Sequence, residues 1–148
     1  VDRAVREFGL RFVVASPFRD ASRITDAHWA PILRACEARD LPFMVHTGQF
    51  WLSDRPYDLE HPRYIDDIAR EYPKLRIIAA HAGWPWVPDM VAIAWKHRNV
   101  WIDTSAHRPR NFQRIGSGFV SRDLRKIVGF LVLFKCQRIM FHMERVTS

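Results

Sequence analysis

Apolar residues fall along this chain in short β-branched runs, and stretches of helical spacing separate one run from the next. Residues 10–16 (LRFVVAS) read as a strand. Residues 24–40 (ITDAHWAPILRACEARD) carry helical spacing, with Asp26 placed as N-cap and Pro31 tolerable only in the first turn. Residues 41–46 (LPFMVH) read as the next strand, 49–62 as a long loop, and 63–73 (RYIDDIAREYP) as a short amphipathic helix stopped by Pro73. The order then repeats, with a strand at 75–81 (LRIIAAH), a helix at 84–98 with Pro85 and Pro88 near its start, and a strand at 99–103 (NVWID) ending on Asp103. Beyond it the pattern predicts a loop over 104–118, a helix over 121–135 (SRDLRKIVGFLVLFK) and a last strand over 137–142 (QRIMFH).

Strands alternating with helices at this interval imply right-handed crossovers and a parallel sheet covered by helices, which is the α/β class. About five strands and four helices are too few to close an eight-stranded barrel. No linker or low-complexity tract divides the chain, so residues 1–148 read as a single domain.

Composition narrows the picture. Hydrophobic residues make up 48% of the 148, enough for a sizeable core and against disorder. No apolar stretch approaches the roughly 18 residues that cross a bilayer, and the opening VDRAVREFGL lacks the features of a signal peptide, so the expected address is the cytoplasm, with no membrane partner. The formal charge of +7 raises nucleic acid as a partner. The basic residues are scattered singly over helix faces, apart from modest groups at Arg108, Arg110 and Arg114 and at Arg122, Arg125 and Lys126, so solvated surface is the better account and a basic binding module ranks last. Cys36 and Cys136 lack metal or disulfide spacing and read as ordinary thiols.

Two histidines each close a β-branched run and are each followed by a small residue and glycine: PFMVHTG at His46 and RIIAAHAG at His81. Imidazole is the commonest protein ligand for a divalent transition metal, and a strand end projects it from a rigid base while glycine lets the loop turn away. A lone histidine of this kind reads better as a half-buried structural residue. Two copies in successive strand and helix units favour a metal site, because parallel β/α folds gather their chemistry at the carboxyl ends of strands.

At LPFMVHTG, at HP..IDDIAREYPKLRIIAAHAG and at NVWIDTSAH, in that order, the chain resembles the amidohydrolase-related family of metal-dependent hydrolases, whose relatives include aminocarboxymuconate semialdehyde decarboxylase and the resorcylate-type decarboxylases. The resemblance implies a (β/α)8 barrel of which this chain holds part, about strands 4 to 8, with the site at the strand carboxyl ends. It implies that His46 is the fifth-strand metal ligand, and that His81 is the sixth-strand histidine that contacts metal or water and assists proton transfer. Asp103 has two readings, orienting neighbouring histidines or capping the turn of the TSAH loop. Trp84 and Trp86 either wall a pocket for a planar substrate or pack the loop on the barrel rim. Arg108, with Arg110, either pairs a substrate carboxylate or lies exposed in solvent.

The departures from the family matter equally. Its first-strand His-x-His or Glu-x-His pair has no counterpart here, and the family's closing FGTDYP is replaced by FHMERV, with His142 for the glycine and Glu144 in place of the metal-binding aspartate. Glu144 is thus a third candidate ligand, although its extra methylene and the lost glycine and proline re-aim the carboxylate. The tail from about Arg114 departs from the family's pattern, and the chain reads as part of a longer parent protein. The implied cofactor is a divalent ion, zinc first and manganese second. The implied function is hydrolysis or decarboxylation of a small organic substrate, carboxylated or cyclic, with a possible homo-oligomer. The competing reading is a catalytically inactive half-barrel that self-associates through edge strands near Phe12 and Ile139.

Overall fold

In the computed structural model, residues 1–106 and 127–128 are described. They form a five-stranded, all-parallel sheet: β1 (Val13–Ala15), β2 (Phe43–Val45), β3 (Ile77–Ala79), β4 (Val100–Asp103) and β5 (Ile127–Val128). Spatial order equals chain order. A doubly wound sheet reverses its strand order at a switch point, whereas consecutive parallel pairing is the order of a β/α barrel wall.

The helices are α1 (Asp2–Phe8), α2 (Ala30–Ala38), α3 (Arg63–Glu71) and α4 (Val87–Lys96). Registers align Val13, Phe43, Ile77 and Val100 in one row across the sheet and Ala15, Val45, Ala79 and Ile102 in a second. Both rows pack against Leu33, Cys36, Ile65, Ile68, Met90 and Ala94 of α2, α3 and α4 in one core. Period 2 in the strands thus meets period 3.6 in the helices. The intervening residues Val14, Met44, Ile78 and Trp101 lie on the opposite face, and Val14 at the β1 edge is 56% exposed.

Several elements differ from the sequence expectation. Helix α1 was not foreseen; Val1 and Val5, four apart, pack on the core, and Arg3 pairs with Glu7 outside. The helix expected over 24–40 opens instead with a separate 3-10 turn, Ala27–Trp29. Asp26 stands at the N-cap of that turn without bonding into it, because its Oδ2 accepts the backbone N–H of Arg23. Pro31 falls in the first turn of α2 and Pro88 in the first turn of α4, as expected. The helix expected over 121–135 is corrected at Ile127–Val128, which pair with Ile102 and Asp103 as a strand. A β-branched pair before Gly129 suits a pleated strand, and a short apolar run carries too little periodicity to separate the two states. The strand expected over 137–142 and Cys136 lie outside the described residues. Cys36 is fully buried, and burial pushes its thiol up to about 11, which keeps it an unreactive thiol.

Between α3 and α4, Asp66 Oδ1 accepts from Lys96 Nζ and from His97 Nε2, both at 2.6 Å. The Lys96 hydrogen bond is the main reason the Asp66 carboxyl sits below its ordinary value; burial opposes it and His97 adds to it. A carboxyl depressed in the folded state contributes stability above its unfolded pKa and loses it as pH falls through the folded value. Asp66→Asn is therefore expected to lower unfolding free energy by about 1 kcal/mol at neutral pH. The gap from wild type should close on acidification, as denaturant titrations at several pH values would show.

Candidate active site

His46 follows β2 directly, and its backbone N–H still bonds to Ala15 O of β1 at 2.9 Å, so the sheet itself anchors it. His81 is placed differently from the sequence expectation. Strand β3 stops at Ala79, and His81, Ala82 and Gly83 then take φ values of 61°, 52° and 66°. Left-handed backbone costs a non-glycine residue roughly 1–2 kcal/mol, so strain at His81 and Ala82 persists only where the surroundings impose it, typically at functional sites. The imposing contacts are visible. Thr47 Oγ1 donates to Ala80 O, Gln49 N–H donates to Trp84 O at 2.6 Å, and the two His-x-Gly segments lie against each other. A Cβ at Gly48 would fall 2.2 Å from Trp84 O, and one at Gly83 would fall 2.8 Å from Pro62 Cγ. Gly48 is thus required for the two histidine loops to close together, not only for a turn, whereas Gly83 faces the side chains of Pro62 and Met90.

This closure brings the imidazoles of His46 and His81 to a centroid separation of 4.7 Å, with planes at 65°. Each ring is held through Nδ1. His46 Nδ1 bonds to Glu60 Oε2, whose side chain is 1% exposed. His81 Nδ1 lies 3.1 Å from Ser105 O and 3.0 Å from Ser105 Oγ. A carbonyl oxygen only accepts, so His81 carries its proton on Nδ1 and its lone pair on Nε2. Ser105 Oγ–H in turn donates to Asp103 Oδ2. Asp103 therefore reaches His81 through Ser105, within the turn that follows β4. Asp103 is fully buried, and its Oδ1 has no hydrogen-bond partner among the described residues.

The remaining candidates separate. Trp86 packs on the long loop, its ring 4.9 Å from Tyr57 and 4.5 Å from His61. Trp84 is 44% exposed and follows the left-handed turn. Arg108, Arg110 and Glu144 lie outside the described residues. The sequence reading missed Glu60, Ser105 and Phe18, whose ring stands 5.0 Å from that of His46 and stacks on Phe50 at 5.1 Å. The serine was the nearest to legible, in TSAH two residues past Asp103. Nothing in the run DLEHP marks Glu60 as buried.

Two imidazoles and a buried carboxylate oxygen without a partner are donors of the kind that a borderline divalent ion takes. Among the described residues no group of three His, Cys, Asp or Glu side chains is arranged to hold a metal ion. The donors fit such an ion in kind, and the described residues alone do not assemble a three-ligand site.

A parallel sheet in sequential order, with the two histidines just past the carboxyl ends of β2 and β3, is the layout of a β/α barrel. The chain belongs to the amidohydrolase family, whose model matches residues 1–141. Members of that superfamily are enzymes and are generally metal-dependent. No curated protein matches the chain. Among solved structures, an uncharacterised TIM-barrel protein from Bordetella bronchiseptica aligns with a TM-score of 0.61 at 23% identity, over 70% of this chain and 37% of that one. A 5-carboxyvanillate decarboxylase from Sphingomonas paucimobilis aligns at 0.56 and 16% identity, over 86% of this chain and 49% of that one. A 4-oxalomesaconate hydratase from Rhodopseudomonas palustris aligns at 0.54 and 16% identity, over 86% and 43%. The chain therefore spans half or less of the length of these three structures, and the shared feature is the barrel fold. Among the described residues no helix is long and apolar enough to cross a membrane.

Proposed function

We propose that this chain carries the metal-binding side of an amidohydrolase-superfamily barrel, akin to aminocarboxymuconate semialdehyde decarboxylase, that hydrolyses or decarboxylates a small carboxylated or cyclic substrate. On this reading it is a single domain corresponding to about strands 4 to 8. One observation supports the reading above the others: His46 and His81, 35 positions apart by their numbering, meet with their rings 4.7 Å apart over a strained turn.

His46 and His81 would hold a divalent ion, zinc or manganese, together with groups beyond the described residues, among which Glu144 is the candidate. Such an ion supplies an acidified water or polarises a substrate carboxylate. Bound directly, Nε2 of His81 would be a ligand; with a water between His81 and the ion, His81, braced by Ser105 and Asp103, would instead exchange a proton with that water at Nε2. Trp84, exposed at the same turn, is the aromatic wall, and Arg108 pairs the substrate carboxylate. The two named relatives act on carboxylated compounds, which is the basis for the substrate class. The scattered basic charge speaks against nucleic acid as partner.

The exposed edge at Val14 supports a second reading, an inactive half-barrel that associates with itself. Calorimetry with zinc and with manganese separates the two. One-to-one binding, weakened about 100-fold in both His46→Ala and His81→Ala, is the expected result. No binding by the wild-type chain, with light scattering showing dimers or larger, would replace the first reading by the second.

A further inference from the structure

Glu60 is a buried carboxylate in a loop, and among the described residues each of its carboxylate oxygens has one partner. Oε1 accepts the backbone N–H of Phe18 at 3.1 Å, and Oε2 bonds to Nδ1 of His46. Its main chain is tied to the same place, because Glu60 O accepts the N–H of Gly48 at 2.9 Å. The Phe18 residue that supplies the N–H also sets its ring 5.0 Å from the His46 imidazole, tilted by 57°. A carboxylate has no proton to give, so the proton in the His46–Glu60 bond belongs to Nδ1.

We propose that Glu60 is a positioning residue, whose carboxylate holds His46 in the Nδ1–H tautomer and so makes Nε2 the nitrogen with a lone pair to offer. The consequence for metal affinity rests on the reading of His46 as a ligand, whereas the tautomer itself does not. Outer carboxylates that orient ligand histidines affect metal affinity tenfold to a hundredfold.

Phe18 makes the test specific. In Glu60→Gln the Phe18 N–H still requires an acceptor, so the carboxamide oxygen takes that side and its NH2 faces His46 Nδ1. Nδ1 must then accept, and the proton moves to Nε2. Imidazole 15N–1H correlation spectra of the whole chain at about pH 8, above the ordinary histidine pKa, read this directly, with the His46 signals assigned by their loss in His46→Ala. The expected result is Nδ1–H in wild type and Nε2–H in Glu60→Gln, with zinc affinity falling tenfold to a hundredfold in the variant. A merely structural role would change stability and leave the tautomer in place. Nε2–H in the wild-type spectrum, or no change of tautomer in the variant, would overturn the proposal, and the wild-type spectrum alone is decisive if the variant does not fold. A tautomer change with no zinc binding in either protein upholds the positioning role and overturns the metal reading instead.

Discussion

Gly48→Ala is expected to lower the unfolding free energy by about 3–5 kcal/mol, enough to unfold a domain of ordinary stability. Gly48 has φ 93°, and an added Cβ would lie 2.2 Å from Trp84 O, 2.8 Å from Trp84 N and 2.9 Å from Gly83 C. All three are backbone atoms, so relief requires the β2 and β3 loops to separate. That separation breaks the Gln49–Trp84 hydrogen bond and strains the Thr47–Ala80 contact. Gly83→Ala is the internal control. Its φ of 66° lies inside the left-handed region that His81 and Ala82 also occupy, and the Cβ would meet side-chain atoms, Pro62 Cγ at 2.8 Å and Met90 Cβ at 3.1 Å, rather than backbone. A cost of about 1–2 kcal/mol is expected there. Urea titration of both variants checks the order, and equal effects would mean that the two loops are not held together as described.

Asn99→Asp should cost about 3 kcal/mol and Asn99→Ala about 2 kcal/mol, in that order. Asn99 Nδ2 faces three carbonyl oxygens, those of Ala69, Tyr72 and Leu75, at 3.3, 3.0 and 3.1 Å. These belong to the last turn of α3 and the segment leading to β3, where the helix has run out of its own donors. Alanine removes the donor, and aspartate replaces it with an acceptor charge pointed at three acceptors. Thermal unfolding of the two variants is the measurement. An aspartate variant as stable as the alanine one would show that the cluster opens to water.

Strands β1 to β4 were legible because each is a β-branched run between turn signals, and α3 because Tyr64, Ile65, Ile68 and Ala69 share one face. Helix α1 was not, since its seven residues are mostly polar and only Val5, with Val1 at the N-cap, packs on the core, which gives little periodicity. At β5, parallel pairing with β4 decided what local propensity left open. Of the site, His46, His81 and Asp103 were visible as chemistry at strand ends. Glu60 and Ser105 were not, because a glutamate in a polar loop is ordinarily exposed and a serine after a strand ordinarily marks a turn.

The order of residues by itself determined the alternation of strands and helices, the parallel class and the two histidines, because those follow from periodicities of 2 and 3.6 and from residue chemistry within a few positions. Tertiary structure alone decided that His81 sits on a left-handed turn, that its ring meets that of His46, and that Glu60 is buried. Each of these depends on segments brought together by packing: Gly48 against Trp84, Thr47 against Ala80, and Phe18 against both Glu60 and His46.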